Sequence, residues 1–218
     1  MGDKAPQKSL LRPFALVLAN RPFRLWIVIT FLSGLSRYGL VTWIPLYFME
    51  RFGLNITDGL VQSLALPVGL GIGTFVVPWL TDKVCPHNRL PAVVINGVLG
   101  AAAVFCLPLL SPNDTAELVL LQGLLVVAGF AIYAINGTAF TFATDVGGRL
   151  FSGTTSGIVN FSIYVGAAVQ SVIFGFVLDS GGWESVFVGT ALSLLAVAAL
   201  GVLGARRAAH STLMASRI

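Results

Sequence analysis

FRLWIVITFLSGLSRYGLVTWIPLYF, residues 23–48, is an apolar run with Arg24 at its start and a second arginine, Arg37, near its centre. A run of this length suits a helix crossing a hydrocarbon layer about 30 Å thick, which takes about 20 residues. Arg37 is the only Lys or Arg deep inside any long hydrophobic stretch of the chain. A cation at bilayer depth costs about 2.5–3.5 kcal/mol on insertion scales. Something must offset that cost, and the usual partner is an anion, either a protein carboxylate or a substrate in a water-lined cavity between helices. No acid lies within the core of any other long apolar stretch, which favours the substrate.

The rest of the chain has the same solvent. Hydrophobic residues make up 56% of it, charged residues only 10%, and the mean hydropathy is +0.88. At 218 residues there is room for six spans of about 20 residues with short loops. The pattern predicts an all-α membrane protein with spans over Arg24–Met49, Gly59–Leu80, Leu90–Leu110, Leu118–Thr144, Thr154–Leu178 and Ser185–Leu203. Residues 1–22 then form a cytoplasmic N-terminal segment, 23–204 a six-helix transmembrane domain, and 205–218 a basic cytoplasmic tail.

The basic residues set the orientation. Lys4, Lys8, Arg12, Arg21, Arg24, Lys83, Arg89, Arg149, Arg206, Arg207 and Arg217 all fall on one side of these spans. The opposite loops carry Glu50, Asp58, Asp114, Glu117, Asp179 and Glu184 with Arg51 alone. Cationic loops stay cytoplasmic, so both termini are expected there, in a multi-pass protein of the cell (inner) membrane. The net charge of +4 reads as a topology signal, and no nucleic-acid partner is expected. Residues 1–20 mix charges and prolines with a short apolar stretch and do not form a cleavable signal. Residues 13–20 instead suit a short amphipathic helix at the interface.

Cys85 falls in a loop and Cys106 inside the third span, so neither a disulfide nor a metal site is expected. No cofactor or hydrolytic constellation appears, which argues against an enzyme. Gly69, Gly71 and Gly73 lie inside an apolar span without a flanking strand, so they read as close helix packing and not as a dinucleotide loop. Trp79-Leu80-Thr81-Asp82 ends the second span and Phe176-Val177-Leu178-Asp179 the fifth, on opposite faces, as two inverted three-helix repeats would.

Arg37-Tyr38-Gly39-Leu40-Val41-Thr42-Trp43-Ile44-Pro45-Leu46-Tyr47 resembles the seventh helix of the organophosphate:phosphate antiporters. That branch of the major facilitator superfamily includes glycerol-3-phosphate and hexose-phosphate transporters. The match continues in order. Trp79 to Arg89 resembles the loop after the eighth helix, and Gly129-Phe130-Ala131-Ile132-Tyr133 resembles the middle of the tenth. Asp145 stands where an acid ends that helix, and Gly153-Thr154 with Tyr164 and Gly166 resembles the eleventh.

The resemblance implies one six-helix half of the fold. It gives phosphate binding to Arg37, with Tyr38, Tyr133 and Tyr164 around the ligand and Trp43 as a cavity wall. It gives a conformational motif to Asp82, Lys83, Arg89, Asp145 and Arg149. A guanidinium fork suits phosphate, since it offers paired donors and stays charged. Thr42 departs from the pattern, because the glycerol-3-phosphate branch carries Asp there. The expected function is exchange of phosphate esters or inorganic phosphate by alternating access, as a parallel homodimer or with a separate first half. The alternative is a membrane sensor of a phosphorylated metabolite, or a remnant that no longer transports.

Overall fold

A computed structural model describes residues 12–85, 88–110 and 115–215. Lys4, Lys8, Asp114 and Arg217, which entered the orientation argument, lie outside these residues. Every described element is helical: α1 (Arg12–Ala19), α2 (Arg21–Phe52), α3 (Ile56–Ser63), α4 (Ala65–Val84), α5 (Leu90–Cys106), a single 3-10 turn (Leu107–Leu109) and α6 (Thr115–Ala215). Four stretches are long and apolar enough to cross a membrane: Arg21–Phe52, Ile56–Val84, Leu90–Leu109 and Ala116–Arg207.

Local chemistry sets the boundaries. The Asn20 side chain accepts the backbone N–H of Phe23 at 3.0 Å, and Pro22 fills an early position where no helical donor is needed. These signals carry α2 three residues further back than the expected start at Arg24. At the other end Gly53 takes φ 64°, a left-handed cap that closes the helix. Leu64 separates α3 from α4. Pro67 has no N–H for the Ser63 carbonyl, so the ladder loosens there.

α6 has 101 residues and non-helical backbone at only two internal positions, Gly148 (φ 52°, ψ −154°) and Gly182 (φ 67°, ψ −172°). A straight helix of that length would run about 150 Å. Yet Phe142 stacks on Trp26 at 4.7 Å, Ser162 Oγ lies 2.7 Å from Thr30 Oγ, and Phe187 meets Tyr47 at 4.9 Å. All three partners belong to α2. The chain therefore doubles back at each glycine, giving segments 115–147, 149–181 and 183–215. The longer loops expected at 145–153 and 179–184 are not found. Hydropathy marks where a chain leaves the apolar layer, whereas the helix continues until a residue adopts positive φ.

The contacts also give directions. The first segment runs antiparallel to α2, since Trp26 meets Phe142 and Ser33 meets Asn136. The second runs parallel to α2, with Gly34 on Ile163 and Gly39 on Phe174. The third returns, packing Gly97 against Ala198 and Gly204 against Leu90 of α5.

α4 and the first segment of α6 pack backbone to backbone. A Cβ on Gly69 would overlap the Val126 carbonyl, and one on Gly73 the Phe130 carbonyl, while Gly71 faces open space. Gly69 and Gly73 thus pack as expected, with small residues letting helices approach closely where lipid supplies no hydrophobic drive. Gly69→Val is expected to cost about 1–3 kcal/mol by overpacking, read as a lower unfolding midpoint in detergent. Gly71→Val serves as the neutral control.

This path sorts the charges. Arg12, Arg21, Arg24, Lys83, Arg89, Arg149, Arg206 and Arg207 gather at one end of the bundle with Asp82 and Asp145. Glu50, Arg51, Asp58, Glu117, Asp179 and Glu184 gather at the other.

Candidate functional site

Arg37 sits midway along α2, half-buried, on the side that meets the first and second segments of α6. Its guanidinium carbon lies 4.2 Å from the Tyr133 ring centre and 4.9 Å from that of Tyr38. The Tyr38 ring is in turn 5.8 Å from Tyr164, which is 54% exposed and opens the cluster to its surroundings. Among the described residues no carboxylate forms an ion pair with Arg37. Its Nε is buried with no hydrogen-bond partner. A desolvated cation–π contact contributes about 2 kcal/mol, which offsets much of the cost of holding the charge here. Tyr133 and Tyr38 flank the guanidinium, and its buried Nε is a donor left for an anion.

One turn along α2, the Ser33 hydroxyl donates to Asn136 Oδ1 at 3.1 Å, and Asn136 Nδ2 is buried without a partner. Ser33–Asn136 and Arg37–Tyr133 are thus successive rungs between the same two helices. Asn136, a polar residue inside a predicted span, ranks below the tyrosines on sequence alone. Its signal was the three-residue spacing from Tyr133, which puts both side chains on one helix face.

Trp43 does not join this cluster. Six residues past Arg37, it lies about 9 Å along the axis and faces another direction. It meets Trp183 edge-on at 6.4 Å, and its Nε1 is buried without a partner. Tyr47, Phe187 and Trp183 complete this second aromatic cluster, tied by a hydrogen bond from Trp183 Nε1 to Glu50 at 3.0 Å. A cavity of about 200 Å³ beside it is lined by Tyr47, Arg51, Pro108, Gly181, Gly182, Trp183 and Glu184. The pairs Trp43/Tyr47 and Trp183/Phe187, each spaced by four, were the signal in the sequence. Gln170, a polar residue inside a predicted span, is fully buried with neither amide atom bonded.

The proposed conformational motif is partly assembled. Arg89, 9% exposed, donates to Asp82, to Thr81 Oγ1 at 3.3 Å, and to Asp145 through Nε at 3.2 Å and a terminal nitrogen at 2.8 Å. One guanidinium so joins the end of α4, the start of α5 and the first segment of α6. Burial alone would lower its pKa, but the Asp82 and Asp145 carboxylates outweigh that and raise it above the ordinary arginine value. Lys83 lies instead over the Trp79 ring at 3.9 Å. Arg149 is exposed just past Gly148 and makes no ion pair among the described residues.

Residues 2–171 match the model for the Major Facilitator Superfamily. The chain belongs to that superfamily. It is therefore a multi-pass membrane protein with an all-helical major facilitator fold. Among its relatives, the glycerol-3-phosphate transporter of Bacillus subtilis is 30% identical over 70% of this chain and 34% of its own length. A probable sulfoacetate transporter of Cupriavidus necator is 28% identical over 81% of this chain and 42% of its own. A probable hexose phosphate transport protein of Chlamydia pneumoniae is 25% identical over 87% and 40%. The chain thus spans about a third to two-fifths of these major facilitator proteins. A crystal structure of a bacterial homologue of the lysosomal transporter Spinster, inward-facing and unoccupied, superposes with a TM-score of 0.63 at 17% identity. It covers 94% of this chain and 51% of that one. The resemblance to the organophosphate branch agrees with the relatives named for phosphorylated compounds.

If Arg37 binds phosphate, Tyr133→Phe, which keeps the ring under Arg37, is expected to bind it within about threefold of wild type. Tyr133→Leu removes the cation–π contact and is expected to weaken binding by up to about thirtyfold, in step with its contribution. Equilibrium binding of labelled phosphate to the purified protein reads both.

Proposed function

We propose that this chain supplies one six-helix unit of a secondary carrier that exchanges phosphate esters or inorganic phosphate by alternating access. The observation that carries this reading is Arg37, midway along α2 on tyrosine rings, without a carboxylate partner among the described residues and with a buried, unpartnered Nε. Fixed charge of this kind is a binding feature by default, and a planar fork of donors suits phosphate. Names of the relatives, three of them for glycerol 3-phosphate, hexose phosphate and phosphoglycerate, point the same way.

In this reading the six spans are α2, α3 with α4, α5, and the three segments of α6, grouped as two inverted three-helix units. The basic end faces the cytoplasm. A central pathway needs a second six-helix unit. A second copy in parallel would bring another Arg37 to the same cavity, and a different six-helix unit would bring its own lining. Thr42, exposed where the branch carries Asp, leaves the site with no acid to compete for Arg37. An arriving anion neutralises the guanidinium, so the loaded carrier reorients more readily than the empty one, and exchange follows. The Arg89 cluster keeps three helix ends together while the unit rocks.

Counterflow tests this. Vesicles holding the folded protein and loaded with unlabelled phosphate should accumulate labelled phosphate or a labelled phosphate ester, with saturation. Vesicles of equal protein content that show no accumulation above lipid alone would rule out carriage.

A further inference from the structure

The basic end of the bundle holds more than an orientation signal. α1 is eight residues long, about 12 Å, too short to cross a bilayer. It is docked on α2 and α6, with Val17 in the core, yet Phe14, Leu16 and Leu18 are 44%, 54% and 41% exposed. Arg12, Arg21 and Arg24 flank these apolar side chains, and all three are exposed. The end of α6 joins them, because Gly204 packs on Leu25 at the start of α2, which brings exposed Arg206 and Arg207 to the same level. The described acids at this end, Asp82 and Asp145, are both engaged by Arg89. Five arginines therefore face outward beside the exposed apolar flanks of α1, and among the described residues no acid at this end is left to neutralise them.

An aqueous anion satisfies the arginines and not Phe14, Leu16 and Leu18. Neutral lipid does the reverse. We propose that α1, the start of α2 and the end of α6 form a docking surface for anionic phospholipid, with α1 lying in the interface and the five arginines on the phosphate groups. An amphipathic helix with basic flanks binds by buried apolar area plus attraction to anionic headgroups, and each basic residue near such a surface contributes about fivefold. This surface is remote from Arg37 and does not depend on what the carrier exchanges.

The test uses the purified full chain in nanodiscs of phosphatidylcholine, with or without phosphatidylglycerol. Native mass spectrometry should find phosphatidylglycerol retained over phosphatidylcholine by at least about tenfold, and Arg12→Gln/Arg21→Gln/Arg24→Gln should cut that preference by about tenfold or more. All three positions are exposed, and unchanged helicity confirms the fold. Hydrogen exchange of the α1 amides should slow when phosphatidylglycerol is present, and that slowing should disappear in the triple variant. Equal retention of the two lipids by wild type, a variant with its preference intact, or α1 exchange indifferent to headgroup would each overturn the proposal.

Discussion

Arg37→Lys is expected to lower phosphate counterflow by at least about tenfold. A hydrogen bond to a charged group contributes about 1.5–3 kcal/mol, and each 1.4 kcal/mol is a factor of ten. Lysine keeps the charge and loses the paired geometry. Its ammonium also cannot lie flat on Tyr133, where the guanidinium carbon now sits 4.2 Å from the ring centre. Arg37→Ala is expected to abolish exchange, since no other cation lies at this depth among the described residues. Initial rates in vesicles, with affinity measured by competition, separate a weaker site from a slower carrier. Full exchange by the lysine variant would remove the bidentate role from Arg37, and full exchange by the alanine variant would remove the site itself.

Arg89→Met should cost about 3 kcal/mol of stability. Breaking a buried ion pair from one side costs about 3–5 kcal/mol. The low end applies because Asp82 and Asp145 are 52% and 56% exposed and water screens what remains. Asp82→Asn and Asp145→Asn should each cost less than Arg89→Met, because Arg89 keeps one carboxylate in either case. Lys83→Met and Arg149→Met stand outside the cluster and should fall within about 0.5 kcal/mol of wild type. Denaturant unfolding in detergent ranks the five variants. Arg89→Met no worse than Arg149→Met would show that the three helix ends are held by something else.

Arg37 was legible because a cation inside an apolar run is costly to keep without a use, whereas Tyr133 was marked only by the family resemblance. The partnership of Asp82, Arg89 and Asp145 came from the family resemblance, and the geometry then brought all three together. Lys83 and Arg149 came from the same source and stand apart, because a motif written along one strand of text does not say which side of a helix end each residue leaves from. Trp43 likewise leaves α2 on another side: six residues of helix turn it away from Arg37. The single-glycine reversals were hidden because hydropathy reports burial and says nothing of backbone dihedrals. Gln170 was legible as a polar residue inside a span, but its lack of a partner was not. A buried amide without partners is a property of its neighbours, and they come from elsewhere in the chain.

Those reversals at Gly148 and Gly182 have a mechanical corollary. A connector of ten flexible residues would let one rod slip lengthwise past the next, whereas a joint one residue long holds the spacing of the rods it joins. The three legs of α6 can therefore pivot together but not telescope, and displacement at the basic end is delivered undiminished to the acidic one. Lengthening either joint with a few serines would introduce play, and the two ends of the bundle would lose their synchrony while each leg stayed helical.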